Sequence, residues 1–158
     1  MPIKLVLNNV TGVLSLQEPF PVTELRPRYD WLRCFEPENH LDSVVQKISG
    51  LPGITTDSVF SGYSFKDDST LERLRVKGYT NVWRIDPKKD LGVDDRCASV
   101  ETFQSVFGID KAKEIISRNG LVDVIIVRHV IEHAYDIKEF VSGIRMLVRK
   151  GGYIVWEL

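Results

Sequence analysis

The stretch Arg128-His129-Val130-Ile131-Glu132-His133 sets two imidazoles and a carboxylate close together, directly after an apolar run. Histidine takes up and releases protons near neutral pH, and a nearby carboxylate can orient its ring. His133, Glu132 and His129 are therefore candidates for proton transfer; lining a pocket or packing a helix is the competing role for His133. A second set of residues lies earlier. Gly62 sits in SGYSFKDD between a β-prone segment and a helix signal, and Asp86 follows 24 positions later, just before Pro87. A glycine at such a turn lets backbone N–H groups approach a ligand, and Ser61 or Ser64 would add hydroxyl donors. A carboxylate at the end of the next strand offers two acceptors to the paired hydroxyls of a ribose. The competing reading of Asp86 is an exposed acid before a turn proline. His40, beside an apolar stripe, reads as a surface or packing histidine.

The elements that would position these groups follow from periodicity. Val122 to Val127 is apolar except for Asp123 and rich in β-branched residues, as in a strand covered on both faces. Asp136 with Glu139 three residues on resembles a capping box, and Ile137, Phe140, Val141, Ile144, Leu147 and Val148 share one helical face. Arg149 and Lys150 suit the end of that helix, Gly151-Gly152 stops it, and Tyr153 to Trp156 returns as a strand. Strand, polar loop, helix and strand make a crossover unit, whose ligands sit at the carboxyl ends of the strands. Upstream, Asp57 to Gly62 and Asn81 to Ile85 read as strands around a helix carrying Leu71 and Leu74. Ser99 to Phe103 reads as a short third strand, and a helix follows from Asp110. The order predicts an α/β, Rossmann-like, mostly parallel sheet of about five core strands flanked by helices. Residues 57–158 would form this core. Residues 1–56 would wrap onto it, with a possible hairpin in 3–16, the aromatics Tyr29, Trp31, Leu32 and Phe35 in a proline-rich stretch, and a helix after Pro37.

The 158 residues are 43% hydrophobic and 27% charged, which suits one soluble domain. A formal net charge of -1 gives no attraction to nucleic acid or to an anionic membrane. No apolar run approaches the ~18 residues of a membrane span. Cys34 and Cys97 form no CxxC pair and fit reduced thiols in a cytoplasmic protein.

The end segment, DVIIVRHVIEHAYDIKEFVSGIRMLVRKGGYIVWEL, resembles the region after the adenosine half-site in class I S-adenosylmethionine-dependent methyltransferases. Within that superfamily GYTNVWRIDP and VDVIIVRHVIEHAYD look most like the sugar C-methyltransferases. The resemblance covers about residues 58–158 and implies S-adenosylmethionine as cofactor and a small-molecule acceptor. It implies that the loop at Gly62 faces the methionine end, Asp86 binds the ribose and the region of Glu101 lies near the adenine. It further implies that His129 stands beside the transferred methyl, and that Glu132 and His133 help to remove a proton from a sugar carbon. Three departures stand out. The glycine-rich turn is reduced to SGYSFKDD, and two cysteines cannot build the four-cysteine zinc module of many relatives, so no metal is expected. The chain also stops at Trp156-Glu157-Leu158, which suggests a truncated domain whose exposed sheet edge favours a homo-oligomer. A catalytically silent Rossmann-like module for binding or assembly is the alternative. A nicotinamide-dependent oxidoreductase would need the glycine fingerprint that is missing.

Overall fold

The computed structural model describes residues 3–18, 20–24, 37–95 and 97–158, with the backbone alone of Glu101. The aromatics Tyr29, Trp31, Leu32 and Phe35 lie outside the described residues. In chain order the elements are β1 (Leu5–Leu7), β2 (Leu14–Leu16), α1 (His40–Ser49), β3 (Phe60–Gly62), α2 (Asp68–Val76), β4 (Val82–Arg84), α3 (Val100–Val106), α4 (Ile109–Asn119), β5 (Val122–Arg128), α5 (Ile137–Leu147) and β6 (Val148–Glu157).

Four parallel strands form the main sheet in the order β4-β3-β5-β6. Phe60 pairs with Val82 on one side and Val124 on the other, and Arg128 pairs with Glu157 at the far end of β5. The chain leaves β3 toward β4 and leaves β5 toward β6, in opposite directions along the sheet. The strand order therefore reverses between β3 and β5, and their carboxyl ends flank a crevice, the usual ligand position in such sheets. The apolar run in β5 is explained by cover on both faces. Val124 and Ile126 pack with Val45, Ile48, Leu71 and Leu74 of α1 and α2. Ile125 and Val127, pointing the other way, pack with residues of α3, α4 and α5 such as Phe103, Ile115 and Phe140. Asp123, the one acid in the run, accepts from the Val59 N–H at 2.7 Å and pairs with Arg149 at 3.1 Å. The architecture is thus α/β with a Rossmann-like parallel sheet, and it has four such strands among the described residues rather than five.

Three local expectations fail for identifiable reasons. Residues 99–103 are not a strand: Ser99 is extended and its carbonyl accepts from Thr102 and Phe103, which opens α3. Val100, Phe103 and Phe107 then fall on one buried face at helical spacing. The final helix ends at Leu147, and the glycine pair lies inside β6, where the register shifts between Val122 and Val124 of the neighbouring strand. Gly151 has φ 82°, which a glycine adopts without strain. Ile137 is exposed, whereas the capping of α5 holds, with Glu139 N–H donating to Asp136 Oδ1 at 2.9 Å.

The N-terminal strands pair as an antiparallel hairpin, with Leu5 opposite Leu16 and Leu7 opposite Leu14. All four leucines share one face, and all are exposed. Among the described residues no helix is long and apolar enough to cross a membrane.

Helix α5 approaches the α3–α4 junction at Gly143, where an added Cβ would lie 2.8 Å from the Phe107 ring and 3.0 Å from the Gly108 backbone. Alanine normally favours a helix interior by about 1 kcal/mol over glycine. Here overpacking reverses the sign, and Gly143→Ala is expected to lower stability by about 1–3 kcal/mol in chemical denaturation.

Candidate functional site

Asp67 occupies the crevice between β3 and β5. Its side chain is fully buried. One carboxylate oxygen accepts from the backbone N–H groups of Tyr63 at 2.8 Å and Ser64 at 2.7 Å, in the loop after β3. The other accepts from the N–H of Arg128, at the end of β5, at 3.0 Å. Ser64 completes a capping box, its hydroxyl accepting from Lys66 N–H at 3.2 Å. The glycine at 62 serves this arrangement, because a Cβ there would lie 2.7 Å from the Cβ of Asp67 and 2.9 Å from Leu71. Burial raises the Asp67 carboxyl to about 7, against the lowering effect of its hydrogen bonds from Ser64, Arg128 and Tyr63. Tyr63 points inward and stacks edge-on against Phe107 and Phe140, with ring centroids 5.2 and 5.1 Å away. Its hydroxyl and that of Thr102 are buried without a hydrogen-bond partner among the described residues. Ser61 is fully buried, and its hydroxyl reaches only the adjacent Gly62 carbonyl, at 3.3 Å.

The second cluster lies at the carboxyl ends of β5 and β6. Arg128 is buried, and its guanidinium holds Glu157 with two bonds of 2.9 and 3.2 Å, Glu38 at 3.0 Å and the Lys66 carbonyl. Glu157 Oε1 also lies 3.1 Å from His40 Nε2 and 3.3 Å from His129 Nε2. Burial works against the Glu157 charge, yet hydrogen bonds from Arg128 and His40 keep its carboxyl below the ordinary range. Glu38 is lowered as well, first by a hydrogen bond with Ser69. His129 adopts φ 49°, a left-handed backbone that is uncommon outside glycine and asparagine. That turn brings its Nδ1 to 3.6 Å from Glu132 Oε1, so carboxylates flank both ring nitrogens. His133 is exposed on a short 3-10 turn, its N–H donating to the Val130 carbonyl at 2.9 Å.

Asp86 lies just past β4, half-buried, at the same carboxyl edge. Its Oδ1 accepts from Lys89 N–H at 2.8 Å, and its own N–H donates to Asp90 at 2.8 Å. Asp90 is in turn held by Arg118 at 3.1 Å. Glu101 belongs to α3 rather than to a third strand, and its side chain is outside the description. The structure thus joins His129 to Glu132, and gathers Gly62 and Ser64, but not the Ser61 hydroxyl, around a carboxylate of the chain's own.

Sequence reasoning missed Asp67 and Glu157 and gave Arg128 no role, whereas His40, read as a surface or packing histidine, is exposed and bonds Glu157. Asp67 had a legible signal: Ser64-Phe-Lys-Asp67 matches a capping box. Arg128 meets Glu157 across 29 positions and Glu38 across 90, and His40 meets Glu157 across 117, and no local pattern links them. Among the described residues no group of three or more His, Cys, Asp or Glu could hold a metal ion. An open groove of about 800 Å³ runs between α1 and α2, past Asp42, Gln46 and Arg73, and contains none of the candidate residues. No family model matches the chain, and no curated protein does.

Two predictions follow from this geometry. The native carboxyl of Asp67 is raised above its unfolded value, so the native state holds the proton to higher pH. Stability should therefore fall as pH rises from about 4 to about 7 and level off above that. Asp67→Asn should remove this component, up to about 4 kcal/mol, when denaturation curves of the two proteins are compared across pH. At 129, asparagine tolerates the left-handed backbone and a β-branched residue does not. His129→Val should cost at least about 1 kcal/mol more than His129→Asn in the same assay.

Proposed function

We propose that this chain is the cofactor-binding part of an S-adenosylmethionine-dependent methyltransferase acting on a small-molecule acceptor, with a sugar carbon as the acceptor atom. What carries the reading is one arrangement at the carboxyl edge of the sheet. Asp86 stands at the end of β4, on one side of the β3–β5 crevice, with the His129–Glu132 pair at the end of β5 on the other. The acid suits the paired hydroxyls of a ribose. When bound, the cofactor supplies an electrophilic methyl group on a sulfonium. Methylation at carbon requires that a proton first leave the acceptor carbon, and an imidazole is the side chain suited to take it. His129 is the better-placed base, with Glu132 and Glu157 flanking its ring. His133 is the second candidate. Glu101 near the adenine remains part of the proposal, as does a cytoplasmic location.

A second reading, a catalytically silent module for binding or assembly, is favoured by the filled crevice. The N–H groups of Tyr63 and Ser64 are taken by Asp67, and Gly62 is covered by it. The exposed leucine face of the hairpin and the long strand β6 at the sheet edge would suit contact with another copy.

Calorimetric titration with S-adenosylmethionine and S-adenosylhomocysteine separates the two readings. Binding in the micromolar range, weakened at least about tenfold by Asp86→Ala, is the outcome expected for the methyltransferase. No heat at millimolar ligand would remove that reading and leave the silent module.

A further inference from the structure

We propose that Asp67 is a specificity-determining residue that excludes phosphate-bearing ligands from the β3–β5 crevice by holding its anion-binding donors itself. The proposal rests on reading that crevice as a ligand site. In a Rossmann-like half-site the turn after the first strand, together with the helix that follows, binds a phosphate through backbone N–H groups, and the helix dipole adds to the attraction. Here the equivalent donors are the N–H groups of Tyr63 and Ser64, and the neighbouring strand end contributes that of Arg128. All three point at one carboxylate. Two further loop N–H groups are also used, Lys66 by the Ser64 hydroxyl and Asp67 by the Ser64 carbonyl. A phosphate arriving at this turn finds these donors already taken by a buried carboxyl group of the chain's own.

The surrounding charges reinforce the exclusion. Asp68 adds a second acid at the start of α2, paired with Arg84 at 2.8 Å. Arg128, whose charge acts on the Asp67 carboxyl, is committed to Glu157 and Glu38. Lys66, whose carbonyl accepts from Arg128, and Tyr63 are the other titratable groups on the loop. The ligand class compatible with this crevice is therefore a nucleoside without phosphate. S-adenosylmethionine is such a molecule, and dinucleotides and nucleoside diphosphates are not. Shortening the side chain in Asp67→Ala would free the N–H groups of Ser64 and Arg128 around a space the size of a carboxylate, with that of Tyr63 still reaching the Ile126 carbonyl at 3.1 Å.

The probes are sodium formate, formamide and sodium chloride at matched concentrations up to about 200 mM, with melting temperature as the readout for the wild-type chain and Asp67→Ala. Formate is expected to raise the melting temperature of the variant by at least about 2 °C beyond chloride, with no such gain for formamide or for the wild type. An equal response to all three, or an equal response in both proteins, overturns the proposal. Should Asp67→Ala not fold, the near-isosteric Asp67→Asn is compared with wild type by amide hydrogen exchange. Faster exchange by at least about tenfold at Ser64 and Arg128 is expected, and unchanged protection there overturns the proposal. Inorganic pyrophosphate and S-adenosylmethionine are then titrated into the wild-type chain. Binding of pyrophosphate that protects the Tyr63 and Ser64 amides overturns the exclusion. A positive formate result with no S-adenosylmethionine binding overturns the specificity role in a different way, by retiring the ligand site and leaving Asp67 as a cap.

Discussion

The carboxyl edge of the sheet depends on one buried carboxylate shared between two strand ends. Asp67 accepts from the loop after β3 and from the last residue of β5, the two elements between which the strand order reverses. A buried backbone donor left unpaired costs about 1–3 kcal/mol. One side chain accepts from the N–H groups of Ser64 and Arg128 and shares that of Tyr63 with the Ile126 carbonyl, 3.1 Å away. Its desolvation is the opposing effect, and it is large enough to raise the carboxyl to about 7. The balance between three hydrogen bonds and one buried charge is what keeps the crevice closed around its own anion.

Arg128 belongs to the same joint. Its N–H is held by Asp67, while its side chain reaches the other way to Glu157 on β6 and Glu38 ahead of α1. Helix α1 and Glu38 ahead of it are therefore fastened to the sheet by charge as well as by Val45 and Ile48. Buried ion pairs of this kind are weak evidence for net stability, because desolvation offsets much of the attraction. Their use here is geometric. They bring His40 and His129 to one carboxylate and set His129, in its left-handed conformation, beside Glu132. Strain at a polar residue on a strand end is the kind that the surrounding structure must over-determine, and Glu157 and Glu132 are the residues that do so.

Much of the scaffold was legible from local patterns. The apolar run of 122–127 marked a strand covered on both faces, and Asp136 and Glu139 marked the start of α5. The segment 99–103 was misread because its β-branched and aromatic residues fit a strand as well as one helical face. Only packing of Val100, Phe103 and Phe107 against the core settles that choice. The last helix was drawn too long because Val148 continues the apolar stripe, whereas its backbone pairs with Val122.

The candidate site divides along the same line. Local sequence was enough to find which residue types stand at the strand ends: Gly62 and Asp86 after the first pair of strands, His129, Glu132 and His133 after β5. Those positions follow from chain direction and strand periodicity, which are properties of short segments. What the glycine is for, and which histidine meets which carboxylate, was decided by the tertiary structure. Asp67 reaches Gly62, a few residues away, because a turn folds back on itself. Glu157 reaches Arg128 because the parallel strands β5 and β6 pair them, and reaches His40 because α1 packs over the sheet. These last two contacts are set by how the layers close over the sheet, and no short window of sequence contains both partners.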